Sequence, residues 1–249
     1  MIDTSLSRIW VYLSASPLLG LTITLVAYGL AHRLYVLARY NPLLSPVVTA
    51  IVLLIGFLLL TDTSYQDYFE GGQFVHFLLG PATVALAVPL YQQVDRLRKL
   101  WLPISVALVT GVTVAGTSAI VIAWAFGASQ QTQLSLAPKS ATAPVAMGVS
   151  EQIGGLPSLT AVLVVITGII GAVLGTRLLT LMRIRDDSIR GVAMGVAAHG
   201  IGTARAFHVS PQMGAFSGLA MALSAFTTAV ILPWLVAWLE PMLGYGPFG

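Results

Sequence analysis

The chain has 249 residues, 57% of them hydrophobic and only 8% charged, with a mean hydropathy of +0.88. A soluble domain carries roughly a quarter charged residues, so the composition excludes a water-covered surface and predicts an integral membrane protein. The net charge of +3 is spread over short connections, which argues for orientation in a bilayer rather than nucleic-acid binding; without cysteine there are no disulfides, thiolate metal sites or cysteine nucleophiles.

At about 20 apolar residues per crossing, about eight membrane segments are expected, near 17–38, 43–60, 73–92, 101–127, 134–150, 157–182, 189–207 and 212–240. The N-terminal stretch runs into the first of these without a small-residue cleavage site, so it is expected to be retained. Ser16-Pro17 is a helix start, an N-cap followed by proline in the first turn. The expected fold class is an all-α polytopic membrane protein with short connections.

A repeat is visible within the chain. Ser45–Ile55 (SPVVTAIVLLI) aligns with Leu156–Ile166 (LPSLTAVLVVI), and Gly116–Trp124 (GTSAIVIAW) with Phe226–Trp234 (FTTAVILPW) at nearly the same offset. Between them Gly80–Ala85 (GPATVA) falls opposite Gly200–Arg205 (GIGTAR). Two duplicated units are therefore expected, residues 1–127 and 128–249, within one membrane domain.

Charge sets the orientation. The 33–41 loop (Arg33, Arg39), the 93–100 loop (Arg96, Arg98, Lys99) and the 183–190 loop (Arg183, Arg185, Arg190) should all be cytoplasmic, while the acidic 61–72 loop should lie outside. If 134–150 crossed fully, the third basic loop would land outside. If it enters and returns, or is discontinuous, that loop stays inside and the second unit is inverted relative to the first.

That irregular segment, Ser135–Gly155 (SLAPKSATAPVAMGVSEQIGG), holds Lys139 between Pro138 and Ser140, with Thr142 and Pro144 following. A lysine at the bilayer centre costs about 3 kcal/mol, and each proline removes a backbone donor. Either the interrupted segment presents an ammonium and bare amides to an anion, or Lys139 snorkels to the interface from a short helix. A second interruption is expected at Ala197–Phe207 (AAHGIGTARAF). There Gly200 and Gly202 permit a break, His199 and Arg205 flank it, and Thr203 offers a hydroxyl. The alternative is a membrane-edge loop in which Arg205 caps helix carbonyls. In the first unit Gly80, Pro81, Thr83 and Pro89 mark the corresponding interruption, and paired interruptions point to a transporter site. Glu151 and Gln152 are candidates for a gate or a coupling-ion site, or are simply solvated. The Gly-x-x-x-Gly spacings 171/175, 191/195 and 214/218 indicate close helix packing, within the chain or in a homodimer. Enzyme chemistry is not expected: there is no HExxH helix, no carboxylate pair inside a membrane segment, and nothing supports a Ser-His pair of His199 with a serine such as Ser217. No cofactor or metal is expected.

The stretches LGPATVALAVPLYQQ, LAPKSATAPVAMGVSEQIGG and AAHGIGTARAF…GAFSGLAMAL resemble the LrgB (CidB/YohK-type) membrane protein family, over roughly Asn41 to Trp234. The resemblance implies a bacterial inner-membrane protein with inverted repeats and crossing discontinuous helices, as in the antiporter and bile-acid symporter folds. It implies two functions from different classes. One is an antiholin-like regulator of murein hydrolase export and autolysis. The other is a carrier of glycolate, glycerate or pyruvate, as in the plastidic relatives, often paired with a small LrgA-type partner. On the carrier reading, Lys139 and Arg205 supply charge to a 2-hydroxy or 2-oxo monocarboxylate. Ser140, Thr142, Thr203 and Thr83 contact it, bare amides at Gly200 and Gly202 complete the site, and His199 binds substrate or carries a coupled proton, with H⁺ or Na⁺ as coupling ion.

Overall fold

The computed structural model describes residues 17–38, 40–41, 44–78, 88 and 91–243, and every regular element among them is helical. The chain separates into two compact units, residues 1–85 and 86–249. This division by compactness is a different property from the duplication expected to meet at 127/128.

The first unit contains α1 (Pro17–Leu37), α2 (Pro46–Thr61) and α3 (Tyr65–Phe77). Prolines open both α1 and α2, where a missing N–H costs nothing, and Asp62 ends α2 in the left-handed conformation. Small residues let α1 and α2 approach: Ala27, Ala31 and Ala50 form a buried seam with Leu54 against it. Thr24 on α1 meets the Tyr68 hydroxyl on α3 at 2.8 Å. The predicted 73–92 segment is only partly described, and Gly80, Pro81, Thr83 and Pro89 lie outside the described residues.

The second unit is built on α4 (Val94–Ala125), α7 (Pro157–Leu181) and α9 (Pro211–Leu243), each long and apolar enough to cross a membrane. With α1 they are the four such helices among the described residues; α2, at 16 residues, is shorter. The basic stretch expected to be a loop at 93–100 is the first two turns of α4.

Between the long helices lie two segments that do not cross. Residues 130–153 form α5 (Gln130–Leu136), an open turn, and α6 (Ala143–Gln152). In a straight helix Ser135 and Ser150 would be roughly 22 Å apart. Instead Thr160 Oγ1 of α7 bonds both the Ser135 carbonyl (3.0 Å) and Ser150 Oγ (2.7 Å). The segment is a helical hairpin. Residues 187–209 make α8 (Asp187–Val209), with two non-helical residues inside, Ala198 (φ −134°, ψ 16°) and His199 (φ 39°, ψ −134°). Its ends would be roughly 34 Å apart if it were straight, yet Ser210 Oγ donates to Asp187 Oδ2 at 2.7 Å and Gln212 Nε2 to Ser188 Oγ at 2.9 Å. α8 is a second hairpin. The expectation that 189–207 is a crossing segment is thereby corrected: the reversal at Ala198–His199 returns the chain to the end it came from.

The hairpins enter from opposite ends of the unit. Arg96, in the first turn of α4, pairs with Asp186 at the base of the second hairpin. α4 therefore starts where α7 ends, the two run antiparallel, and the intervening first hairpin makes no net crossing. The base of the first hairpin follows the other end of α4, through Ser129, whose hydroxyl accepts from the Thr132 amide.

Candidate functional site

The first tip is the turn from Ala137 to Thr142. Pro138 is fully buried, and Lys139, Ser140 and Thr142 are half-buried. The turn holds itself by two short backbone bonds, Lys139 N to the Leu136 carbonyl (3.1 Å) and Ala141 N to the Pro138 carbonyl (3.0 Å). Thr142 then opens α6 from an extended conformation; its carbonyl accepts from the Ala146 amide at 2.8 Å, while its hydroxyl makes no capping bond. Lys139 Nζ donates to the carbonyl of Ala115 on α4 at 3.4 Å. Ala115 lies about ten residues, roughly 15 Å, from the end of α4, which is mid-depth for a hydrocarbon core of about 30 Å. An ammonium there whose one bond among the described residues is a long one to a neutral carbonyl is under-solvated, and any anion admitted to the tip gains a strong partner.

The second tip is Ala198–His199. A break is found as expected, but it falls one residue before Gly200 rather than at the glycines. Gly202 is used for contact: a side chain there would run into the Ala198 Cβ and the Met194 carbonyl. His199 takes the positive φ instead, an uncommon conformation for a bulky residue. Its ring is 6% exposed, and Nε2 lies 2.8 Å from the Val164 carbonyl; since a carbonyl only accepts, Nε2 carries the proton. The ring fits because α7 has glycine at 168, where a Cβ would come within 2.7 Å of His199 Cε1. Thr203 is buried and committed, to the His199 carbonyl (2.8 Å) and to Ser217 Oγ (2.9 Å). Ser217 thus pairs with Thr203, and not with His199. Gly200 is exposed at the tip, and Arg205 sits half-buried on the returning arm, about 9 Å along the helix from His199.

The two tips share one neighbour. Ala141 and Ala146 of the first hairpin form a buried cluster with Val164, whose carbonyl is the acceptor for His199. The first tip through Ala141 and the second through His199 thus both pack on Val164 near the middle of α7, while Lys139 reaches the carbonyl of Ala115 on α4 and Gly200 faces Met221 on α9. Glu151 and Gln152 are exposed at the base of the first hairpin, roughly 12 Å below its tip, and Thr83 lies outside the described residues. The Gly-x-x-x-Gly spacings serve packing within the chain. Gly171 and Gly175 face Ala198 and Met194, Gly191 and Gly195 face α9, and Gly214 faces Phe207. The residues missed from sequence are the hydroxyls that close the first hairpin, Ser135, Ser150 and Thr160. Isolated serines and threonines in apolar runs give no signal until folding brings them together.

Residues 24–238 match the LrgB-like family. The chain is 33% identical over 218 residues, 88% of its length and 95% of theirs, to the proteins named antiholin-like protein LrgB of Bacillus mycoides (strain KBAB4), Bacillus cereus (strain B4264) and Bacillus anthracis (strain CDC 684 / NRRL 3495). No solved structure matches. By the span of the family match and the extent of these likenesses, the chain is a membrane protein of the LrgB-like family.

Proposed function

We propose that the protein is a secondary carrier of small 2-hydroxy or 2-oxo monocarboxylates, of the glycolate, glycerate and pyruvate type, in the bacterial inner membrane. The supporting observation is the placement of Lys139: a cationic side chain at the tip of a helical hairpin, at mid-depth, bonded among the described residues to a helix carbonyl at 3.4 Å. A carboxylate displacing that carbonyl forms a charge-assisted bond. Ser140 and Thr142 stand on the same turn, with the open amides at the start of α6 beside them. Hairpins entering from opposite ends suit alternating access, one tip closing the site from each side. They also fit inverted repeats whose interrupted helices meet at the binding site. Arg205, further from the tips, contributes positive potential, and H⁺ or Na⁺ supplies the driving gradient.

A second reading is favoured by the names of the relatives: an antiholin-like regulator of murein hydrolase export, acting with a small LrgA-type partner. The two readings separate in proteoliposomes holding the purified chain. The carrier gives saturable uptake of glycolate, glycerate or pyruvate that Lys139→Gln abolishes. Unsaturable leakage indifferent to Lys139 overturns the carrier and leaves the regulator.

A further inference from the structure

Ser224 on α9 is 1% exposed, and its Oγ has no hydrogen-bond partner among the described residues. A helical serine or threonine in an apolar run ordinarily returns its hydroxyl to the carbonyl one turn back, as Thr227 does to Leu223 at 2.7 Å. Ser224 does not. A buried hydroxyl left unpaired is costly and needs an explanation, such as a partner that binds and leaves.

Register on α9 shows where such a partner would sit. A side chain at Gly191 would meet Met213, Phe216 and Ser217, and one at Gly195 would meet Ser217, Ala220 and Met221. Each turn of the outgoing arm thus advances four residues on α9, and the next turn, His199, falls opposite 221–225. Gly200 agrees, since a Cβ there would lie 3.8 Å from Met221 Sδ. Ser224 is therefore level with the second tip. About two turns further along α9, Leu232 shares a buried cluster with Ala137, the residue that begins the first tip. The stretch of α9 carrying Ser224 bridges the interval between the tips.

Resting on the carrier reading, we propose that Ser224 Oγ recognises the 2-oxygen of the cargo while Lys139 holds its carboxylate. A hydroxyl donates to a 2-oxo group, and it donates to or accepts from a 2-hydroxy group. One serine thereby accepts both oxidation states and disfavours the unsubstituted acid, which leaves the hydroxyl unpaired.

The test compares wild type, Ser224→Ala and Thr227→Ala in proteoliposomes, with glycolate uptake competed by acetate and by pyruvate, and with thermal melts in the absence of substrate. Wild type and Thr227→Ala should prefer glycolate and pyruvate over acetate. Ser224→Ala should bind both roughly tenfold more weakly, the loss of about one hydrogen bond, with acetate unchanged. Its melting temperature without substrate should stay level or rise, because the variant removes an unpaired group. Wild-type preference retained in Ser224→Ala, or a fall in its melting temperature, overturns the role of Ser224 alone. Absence of saturable uptake by the wild type overturns this proposal together with the carrier reading.

Discussion

The two hairpins reverse the chain by different means. The first uses a six-residue open turn, Ala137 to Thr142, with arms only seven and ten residues long. The second reverses within Ala198 and His199, between arms of about eleven and ten residues. In the second, the polar groups are committed within the protein, His199 to Val164 and Thr203 to Ser217, and glycines bring the arms against α7 and α9. In the first, a charge and two hydroxyls stand half-buried on a turn held by the Lys139 and Ala141 amides. A long polar turn presents groups to a ligand, whereas a tight one with paired groups makes a rigid wall. On the proposed carrier reading the first tip holds the carboxylate, and the second tip is a packed wall beside Ser224 of α9.

Breaking that division starts with Lys139. Lys139→Gln should lower monocarboxylate affinity by about 100-fold, near the 3 kcal/mol of a strong charge-assisted bond, as measured by saturable uptake or by substrate-induced thermal shift. The same change should leave the substrate-free melt within a degree or two. Loss of the fold would mean the lysine is structural.

Gly195→Leu should do the opposite. Its side chain would collide with the Ser217 carbonyl, the Ala220 Cβ and the Met221 amide, so about 3 kcal/mol or more of stability should be lost. Gly148→Ala, on the first hairpin with no atom near the added methyl, should gain up to about 1 kcal/mol. Thermal melts in detergent read both; equal tolerance at the two sites would remove the distinction between an open hairpin and a packed one.

Thr160→Val should cost about 1–3 kcal/mol, because it strips the hydroxyl that joins Ser135 to Ser150. Hydrogen exchange should rise across 130–153 and stay level across 187–209.

The smallest effect concerns pH. Burial of Asp186 acts to raise its carboxyl pKa, but the amides of Ser188 and Ile189 and the Arg96 guanidinium outweigh that and hold it below the usual carboxylate value. A depressed carboxyl contributes stability above its unfolded pKa of about 3.9, and the contribution is lost as pH falls through the folded value. With the side chain 38% exposed, solvent screening keeps it below about 1 kcal/mol. Acid titration of the melting temperature should therefore be slightly shallower in Asp186→Asn.

Much of the site was legible beforehand. Pro138 with Lys139 in an apolar run marked an interrupted segment, and the clustering of Arg183, Arg185 and Arg190 left it either returning or discontinuous; the Arg96–Asp186 pair and the bonds of Thr160 to Ser135 and Ser150 make it a returning hairpin. The second interruption was visible in Ala197–Phe207, but its sharpness was not. Glycines at 200 and 202 advertise flexibility, yet only packing shows that Gly202 serves close contact and that His199 bears the strained φ. The hydroxyls of Ser135, Ser150, Thr160 and Ser224 were invisible, since their meaning depends on neighbours distant in sequence.

The stretches 61–72 and 93–100, read as loops for their charge, are largely helical. Composition and charge alone determined that this chain is a membrane protein, where its long apolar helices run, and that 134–150 and 197–207 are irregular. These are local properties: transfer energies, missing amide donors and the sign of loop charges. Only the tertiary structure decided that two interrupted segments fold back as hairpins from opposite ends, and that their tips meet at Val164. Reversal and convergence are fixed by contacts such as Asp187 with Ser210 and His199 with Val164, whose energies do not exist until the partners are brought together.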